Sequence, residues 1–447
     1  VTSDATATSG AVAVAVTIDG AARADANSAA TAKAAGVDTG AGSDFIDNSG
    51  ALQVDAAATS STLNVAVTSD GRAVTNAGLM DGGNKAEANA VGINSGGGEY
   101  QKSTTVTGFI DFNNIGVDAR YEGISDSLSG DGADTITNSE SINASSFALA
   151  PEVTAGITGE GLAVSIGRTQ TKATASAIQS GNLGDNIDNS GDLVVDASST
   201  AVLANVAVTG KGLAVATNAV WDGGTKAEAS ANGIDADSGS ITKKVVTAKA
   251  DVDLNAYVRY NDEFQAASGD DQVINSGRID ATSFALAPSL NVAIDLGKDN
   301  KTGLAAAVST SSADAKTTAI RGGDGDDDLD NSGLLNATAT ATALSANVAV
   351  VNKGVAAAAD AVWDGGTKAE ASAVGIAGDG GDRSRKTYLA IGTDEFKFEK
   401  EAVIADGVDN INNSGDINST STADAASVGV AVAAKGVGVA TSTATAE

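Results

Sequence analysis

The sequence predicts an all-β fold, a β-solenoid with β-arms inserted in alternate units, and three observations carry that prediction. One pattern recurs six times with fixed internal spacing. Within each recurrence the side chains alternate with a period of two, the period of a strand. Apolar content is mostly Ala and Val, with aromatics only 3% of 447 residues. A thick core needs bulkier side chains to reach native density, whereas small ones suit thin layers in which two backbones approach closely.

The pattern registers on the Asn of each Asn-Ser pair: Asn48, Asn138, Asn189, Asn275, Asn331 and Asn413. Four residues earlier lies Asp44, Asp134, Asp185, Asp271, Asp327 or Asp409. Two residues earlier lies Ile46, Ile136, Ile187, Val273, Leu329 or Ile411. Four residues later lies Leu52, Ile142, Leu193, Ile279, Leu335 or Ile417. Spacings between the Asn origins are 90, 51, 86, 56 and 82 residues, so long and short units alternate. The chain divides into a partial repeat (1–47), long repeats (48–137, 189–274, 331–412), short repeats (138–188, 275–330) and a final partial repeat (413–447). The Asn is a turn residue, tolerant of left-handed backbone and able to stack its amide on its neighbours.

After each origin come alternating segments such as "STAVLANVAV", which read as strand. A glycine follows 23 residues after the origin, at Gly71, Gly161, Gly212, Gly354 and Gly436, and insertion shifts that of the fourth origin, Asn275, to Gly303. Glycine breaks the strand there because it accepts positive φ. Long units then carry "MDGGNKAEANAVGI" or its "WDGGTKAEAS" counterparts. Met80, Trp221 and Trp363 at the head of these segments read as cover for the coil beside the arm. Two architectures accommodate the units: a solenoid stacking like positions in ladders, or tandem β-sandwiches of about 140 residues. Hairpin-like "VAVTGKGLAVA" points to sandwiches. The small interior residues point to the solenoid, since Ala and Val do not fill a sandwich core about 10 Å thick.

Long units differ by an extra stretch, about 94–130, 235–267 and 377–405, which holds all five tyrosines, five of eight phenylalanines and eleven of 27 Lys and Arg. Its alternation reads as β-arms. Tyr100, Tyr121, Tyr257, Arg259, Tyr260, Tyr388, Phe396 and Phe398 are the candidate interface residues, because aromatics and Arg are enriched in buried interfaces.

The acidic turn "GGDGDDDLD" (322–330) offers Asp324, Asp326, Asp327 and Asp328, with Asp134 and Asp44 in its weaker copies, as oxygen donors of the kind Ca²⁺ takes in sixes to eights. Gly322, Gly323, Gly325, Asp327 and Leu329 resemble the calcium-binding nonapeptide of the repeats-in-toxin proteins. That family sets its nonapeptides end to end, whereas here one turn occurs per 51 to 90 residues. The resemblance implies Ca²⁺ at a turn rather than a continuous ladder of ions. Taken whole, the chain resembles the repeat regions of giant bacterial surface or secreted proteins with such acidic turns.

A net charge of −30 repels nucleic acid. Without His or Cys the chain lacks the commonest general base and all thiol chemistry. Its aspartates recur in every unit, whereas a catalytic site is singular, so no enzyme is expected. No apolar run reaches the roughly 18 residues of a membrane helix. The expected function is an extracellular or cell-surface structural protein, a subunit of a homopolymeric β-solenoid fibre, filament or sheath; the alternative is the shaft of a large adhesin or autotransporter-like protein. Both ends, "ATATSGAVAVAV" and "SVGVAVAAKGVGVATSTATAE", read as ordinary repeat segments, an expectation of a longer array or of subunits that cap one another.

Overall fold

Each unit forms one coil, and seven coils stack in chain order. The computed structural model describes the chain except residues 41, 77–82, 97–100, 105–107, 112–116, 122–123, 128–131, 182, 219–223, 237–240, 253–255, 267–268, 298–301, 324, 361–365, 380–382, 392–395 and 405–407; within 101–127, 241–266 and 383–404 it describes the backbone alone. A coil consists of a short strand, a long strand and a third strand. In the second coil these are Phe45–Asn48, Leu52–Asn76 and Asn84–Asn94, and in the third Thr135–Asn138, Ile142–Gly167 and Thr169–Gln179. The series runs to Asn410–Asn413, Ile417–Thr441 and Ala444–Ala446. Strands of each kind pair in parallel with their counterparts in adjacent coils.

The register equals the sequence spacing. Leu52 lies opposite Ile142, Ile142 opposite Leu193, Leu193 opposite Ile279, Ile279 opposite Leu335 and Leu335 opposite Ile417. The five-residue excess of 275–330 falls at a bend, where the long strand divides into Ile279–Asp295 and Gly303–Ser309.

Burial explains why this sequence stacks. Three aliphatic columns fill the wide corner where the three sheets meet: the one through Ile136 and Ile187, the one through Ile142 and Leu193, and the one through Ile178 and Ile234, all fully buried. Away from that corner the inward positions become Ala, as the space between the long and third strands narrows. The columns are coupled to glycine. A Cβ on Gly233 would lie 2.5 Å from Ile279 Cγ2, and one on Gly92 only 2.3 Å from Ile142 Cγ2. Two of the three long strands that begin with Leu, at Leu193 and Leu335, have Ala177 or Ala319 at the third-strand position, whereas Leu52 has Gly36. The β-branched methyl needs the room that glycine leaves. Gly233→Ala is expected to destabilise the protein by about 2 kcal/mol, and Ile279→Leu in the same chain to recover part of it. Thermal melts of the two single variants and the double check this; additive losses contradict the pairing.

The "hairpin-like" segment is a β-arch. The chain bends at Gly71, Gly161, Gly212, Gly354 and Gly436, all at positive φ. The two legs then face one another through side chains, while their ladder hydrogen bonds run along the stack to neighbouring coils. A Cβ on Gly156 would sit 2.7 Å from the Val164 carbonyl oxygen across the arch. So little room explains why the interior is Ala163, Ala207, Ala214 and their counterparts. The sandwich alternative gives way to the solenoid for this reason.

Beside the three parallel sheets, parts of the inserted stretches form an antiparallel one. Hairpins Gly108–Asp111 with Val117–Tyr121, Ile241–Val252 with Ala256–Ala266, and Arg383–Ile391 with Phe396–Ile404 join edge to edge. Lys249 pairs with Arg120, and Val258 with Ile391. Two coils rise about 9.6 Å, and so do the two strands of a hairpin. Alternation of long and short units therefore lets the arm sheet rise in step with the solenoid.

Candidate functional site: the acidic corner

The corner between the third strand and the short strand carries the repeated D-x-φ-x-N. From Asp134 onward each aspartate turns inward beneath the coil wall and is bonded to the coil before it. Asp134 Oδ1 accepts the Asp44 amide N–H at 2.7 Å, Asp185 Oδ1 that of Asp134 at 2.7 Å, and Asp271 Oδ1 that of Asp185 at 2.7 Å. Asp327 Oδ1 accepts from Asp271 at 3.0 Å, and Asp409 Oδ1 from Asp327 at 3.2 Å. Exposure is 2% at Asp134, Asp185 and Asp271 and 1% at Asp327. A buried carboxylate needs donors to offset lost hydration, and the neighbouring coil supplies one. Burial pushes the Asp134 carboxyl above its usual range; hydrogen bonds from Ser95 and the Asp44 amide pull it back, and the Asp44 charge adds to the rise.

Four residues on, the asparagines form a parallel ladder. Asn48 Nδ2 donates to Asn138 Oδ1 at 2.6 Å, and each later step, Asn138 to Asn189, to Asn275, to Asn331, to Asn413, is 2.7 Å. The second amide hydrogen goes to the carbonyl two residues later, at Glu140, Gly191, Gly277, Gly333 or Gly415. Stacked amides are observed; left-handed backbone is not, since none of these asparagines has positive φ. The short strand is extended through the Asn, and the glycine two residues on approaches the coil beneath: a Cβ on Gly277 would meet the Gly191 carbonyl at 2.0 Å.

The outer lip of the turn is wired differently. Exposed Asp326 accepts the Val408 amide at 2.6 Å and donates its own amide to Asp270 at 3.1 Å. Asp328 accepts from Asn410 Nδ2 at 2.9 Å. Asp324 lies outside the described residues. The structure thus places Asp44, Asp134 and Asp327 in one inner column, with Asp326 and Asp328 on the lip. No three carboxylates among the described residues converge in a way that could hold a metal ion. Asp134, Asp326 and Asp327 each give one carboxylate oxygen to an amide of an adjacent coil, and Asp328 gives one to Asn410 Nδ2. Melting temperatures in chelator and in millimolar Ca²⁺ test the cation expected at this turn: a rise with Ca²⁺ that is lost in Asp327→Ala supports it, and coinciding melts leave these carboxylates to the coil-to-coil bonds alone.

Of the interface candidates, Tyr100 lies outside the described residues, as do Met80, Trp221 and Trp363. Tyr121, Tyr257, Arg259, Tyr260, Tyr388, Phe396 and Phe398 all fall on strands of the arm sheet. The strand carrying Tyr257, Arg259 and Tyr260 has both edges paired within the chain.

A second polar ladder runs inside the solenoid, between the wide core and the arches. Thr154 Oγ1 donates to Asn205 Oδ1, Asn205 Nδ2 to Asn291 Oδ1 at 2.7 Å, and Asn291 Nδ2 to Asn347 Oδ1 at 3.3 Å. Asn64, Asn205, Asn291 and Asn347 each stand 16 residues after an origin, a fixed offset that marks the ladder in the sequence. Buried Asp360 accepts from Ser345 Oγ at 2.6 Å and Asn347 Nδ2 at 2.6 Å. Glu152, 1% exposed, accepts from Thr169 Oγ1 at 2.9 Å. Burial raises its carboxyl to about 8, against hydrogen bonds from Thr169 and the Arg168 backbone that lower it. No protein-family model, curated protein or solved structure matches the chain.

Proposed function

We propose that the chain is an extracellular structural repeat protein whose coils extend end to end into a fibre, filament or sheath. The observation that carries this reading is the equivalence of its junctions: all six coil-to-coil contacts use the same strand registers, and five of them the same Asp and Asn ladders at the corner. A coil that stacks on its neighbour in this way stacks equally well on another of its kind. Seven coils rise only about 34 Å, whereas a long strand spans about 60 Å from the corner to the arch. Rod-like dimensions therefore arise only when further coils are added. The concentration of carboxylates on the corner lip discourages pairing in the wrong register and keeps the surface hydrated. The resemblance to repeat regions of bacterial surface and secreted proteins agrees with an extracellular setting.

Electron micrographs of the purified protein test the reading. Filaments of uniform width, about 60 Å, with a 4.8 Å meridional reflection, are expected. Dispersed particles of fixed height favour the alternative, a shaft whose length is set within one larger adhesin-like chain.

A further inference from the structure

The arches invert the usual order of burial. Their inner faces are lined by Ala, Gly, Asn and Thr, while the larger aliphatics point outward. Three outward columns on the ascending leg begin at Val12, Val14 and Val16 in the first coil and end at Val428, Val430 and Val432 in the seventh. At all twenty-one positions, three in each coil, the residue is Val, Ile, Leu or Ala. The end coils leave Val12 70% and Val428 55% exposed, and even within the stack Val153 is 43% and Leu290 41% exposed.

From this face we infer that the protein associates laterally with a second copy of itself, ascending leg against ascending leg. The three columns cover about 20 Å by 34 Å, roughly 700 Å². Apolar patches on single chains are usually about 300–600 Å², and one partner in a stable interface contributes about 800 Å². No charge, amide, hydroxyl or aromatic ring interrupts the columns, so nothing there recognises a polar ligand or a sugar, although the chain as a whole carries −30. The face is periodic along the stack at the strand spacing, and β-branched columns interdigitate best with columns of the same period. A second copy supplies that period in every coil. The arms leave from the corner at the other end of the cross-section, after Asn94 and Asp235. This association is sideways and independent of the end-to-end stacking proposed above.

The test is the mass in solution, measured by sedimentation on the full chain, beside variants that keep the strand. The wild type is expected to sediment as a multiple of two chains at micromolar concentration. Val206→Lys with Val292→Lys, on the outward face of the fourth and fifth coils, should halve that mass with circular dichroism unchanged. Val206→Thr with Val292→Thr, which preserves β-branching, should raise the dissociation constant at least tenfold and still fold. In either two-fold arrangement with full overlap the fourth coil of one copy faces the fourth coil of the other. In this cysteine-free chain, Val206→Cys should therefore cross-link to dimer with a bis-maleimide reaching about 10 Å. A wild type that stays single at tens of micromolar overturns the inference, as does a folded Lys variant with undiminished mass. Flotation of single chains with phosphatidylcholine vesicles, without dimers in solution, also overturns it and assigns the face to lipid. Axial filaments can fail to form while the dimer persists, so the two readings fail separately.

Discussion

Asn189→Ala is expected to cost roughly 3–4 kcal/mol, far more than the same change at Asn413. Asn189 donates to Gly191 and Asn275 and accepts from Asn138. Its removal leaves the Asn275 carbonyl without its ladder donor and the Asn138 amide with one bond fewer, at a site that excludes water. Alanine offers nothing in return, and the amide column is divided in two. Asn413, exposed at the top of the column, receives one bond from Asn331 and donates to its own Gly415; water replaces what its loss removes. Thermal or denaturant unfolding of the two variants should differ in midpoint accordingly. Equal losses at the two positions would show that the ladder contributes local turn geometry rather than coupling between coils.

A second large effect is expected from Glu152, and it depends on pH. Its carboxyl is held at about 8 in the folded protein, against 4.5 in an unperturbed chain. The folded state thus binds this proton more tightly than the unfolded state. The contribution to stability is full below pH 4.5 and is lost progressively as pH rises through 8. A shift of this size corresponds to on the order of 5 kcal/mol. Glu152→Gln keeps an oxygen for the Thr169 hydroxyl and has no charge to bury. The variant should match the wild type near pH 4.5 and exceed it in stability at pH 8.5. Parallel pH profiles for the two proteins would mean that Glu152 reaches solvent and ionises without penalty. At neutral pH burial favours the protonated carboxyl, which accepts from the Thr169 hydroxyl. That explains how a glutamate occupies a column otherwise built of Ala11, Thr62, Leu203, Ser289, Ser345 and Ser427.

Much of the architecture is legible in the sequence because the ladders require like residues at fixed offsets. Asp134, Ile136, Asn138 and Ile142 repeat in every unit for the same reason that they bond or touch their own counterparts. The spacing therefore reads out coil length directly. Two features resist such reading. The aspartates suggest outward cation ligands when seen as a string, and only the backbone path shows that the first turns inward to a neighbouring amide while Asp326 faces out. The arches are harder. In "VLANVAV" the larger aliphatics would ordinarily be assigned to the interior and the alanines to solvent. Here two legs of backbone close on one another at Gly212, the gap admits only Ala207 and Ala214, and Val206 and Val208 are left outside. Nothing local states how near the opposing leg will come. That distance is a property of the bend, and the bend is marked only by one glycine.

The buried ladders have a further consequence. In all three, the inner aspartates, the corner asparagines and the Asn205–Asn291–Asn347 seam, the donor belongs to the earlier coil and the acceptor to the later one. Parallel backbone bonds point both ways along the stack and largely cancel, but these side-chain bonds all point one way. The solenoid is thus an arrow, with the positive ends of its amide dipoles turned toward the C-terminal coil. Two arrows meeting point to point would set donors against donors, and two meeting at their bases would set acceptors against acceptors. Only nose-to-base joining continues the column. A filament grown from such subunits has the same orientation throughout, with two chemically different tips that capture subunits at different rates, and a label on one terminus would mark every subunit facing the same direction.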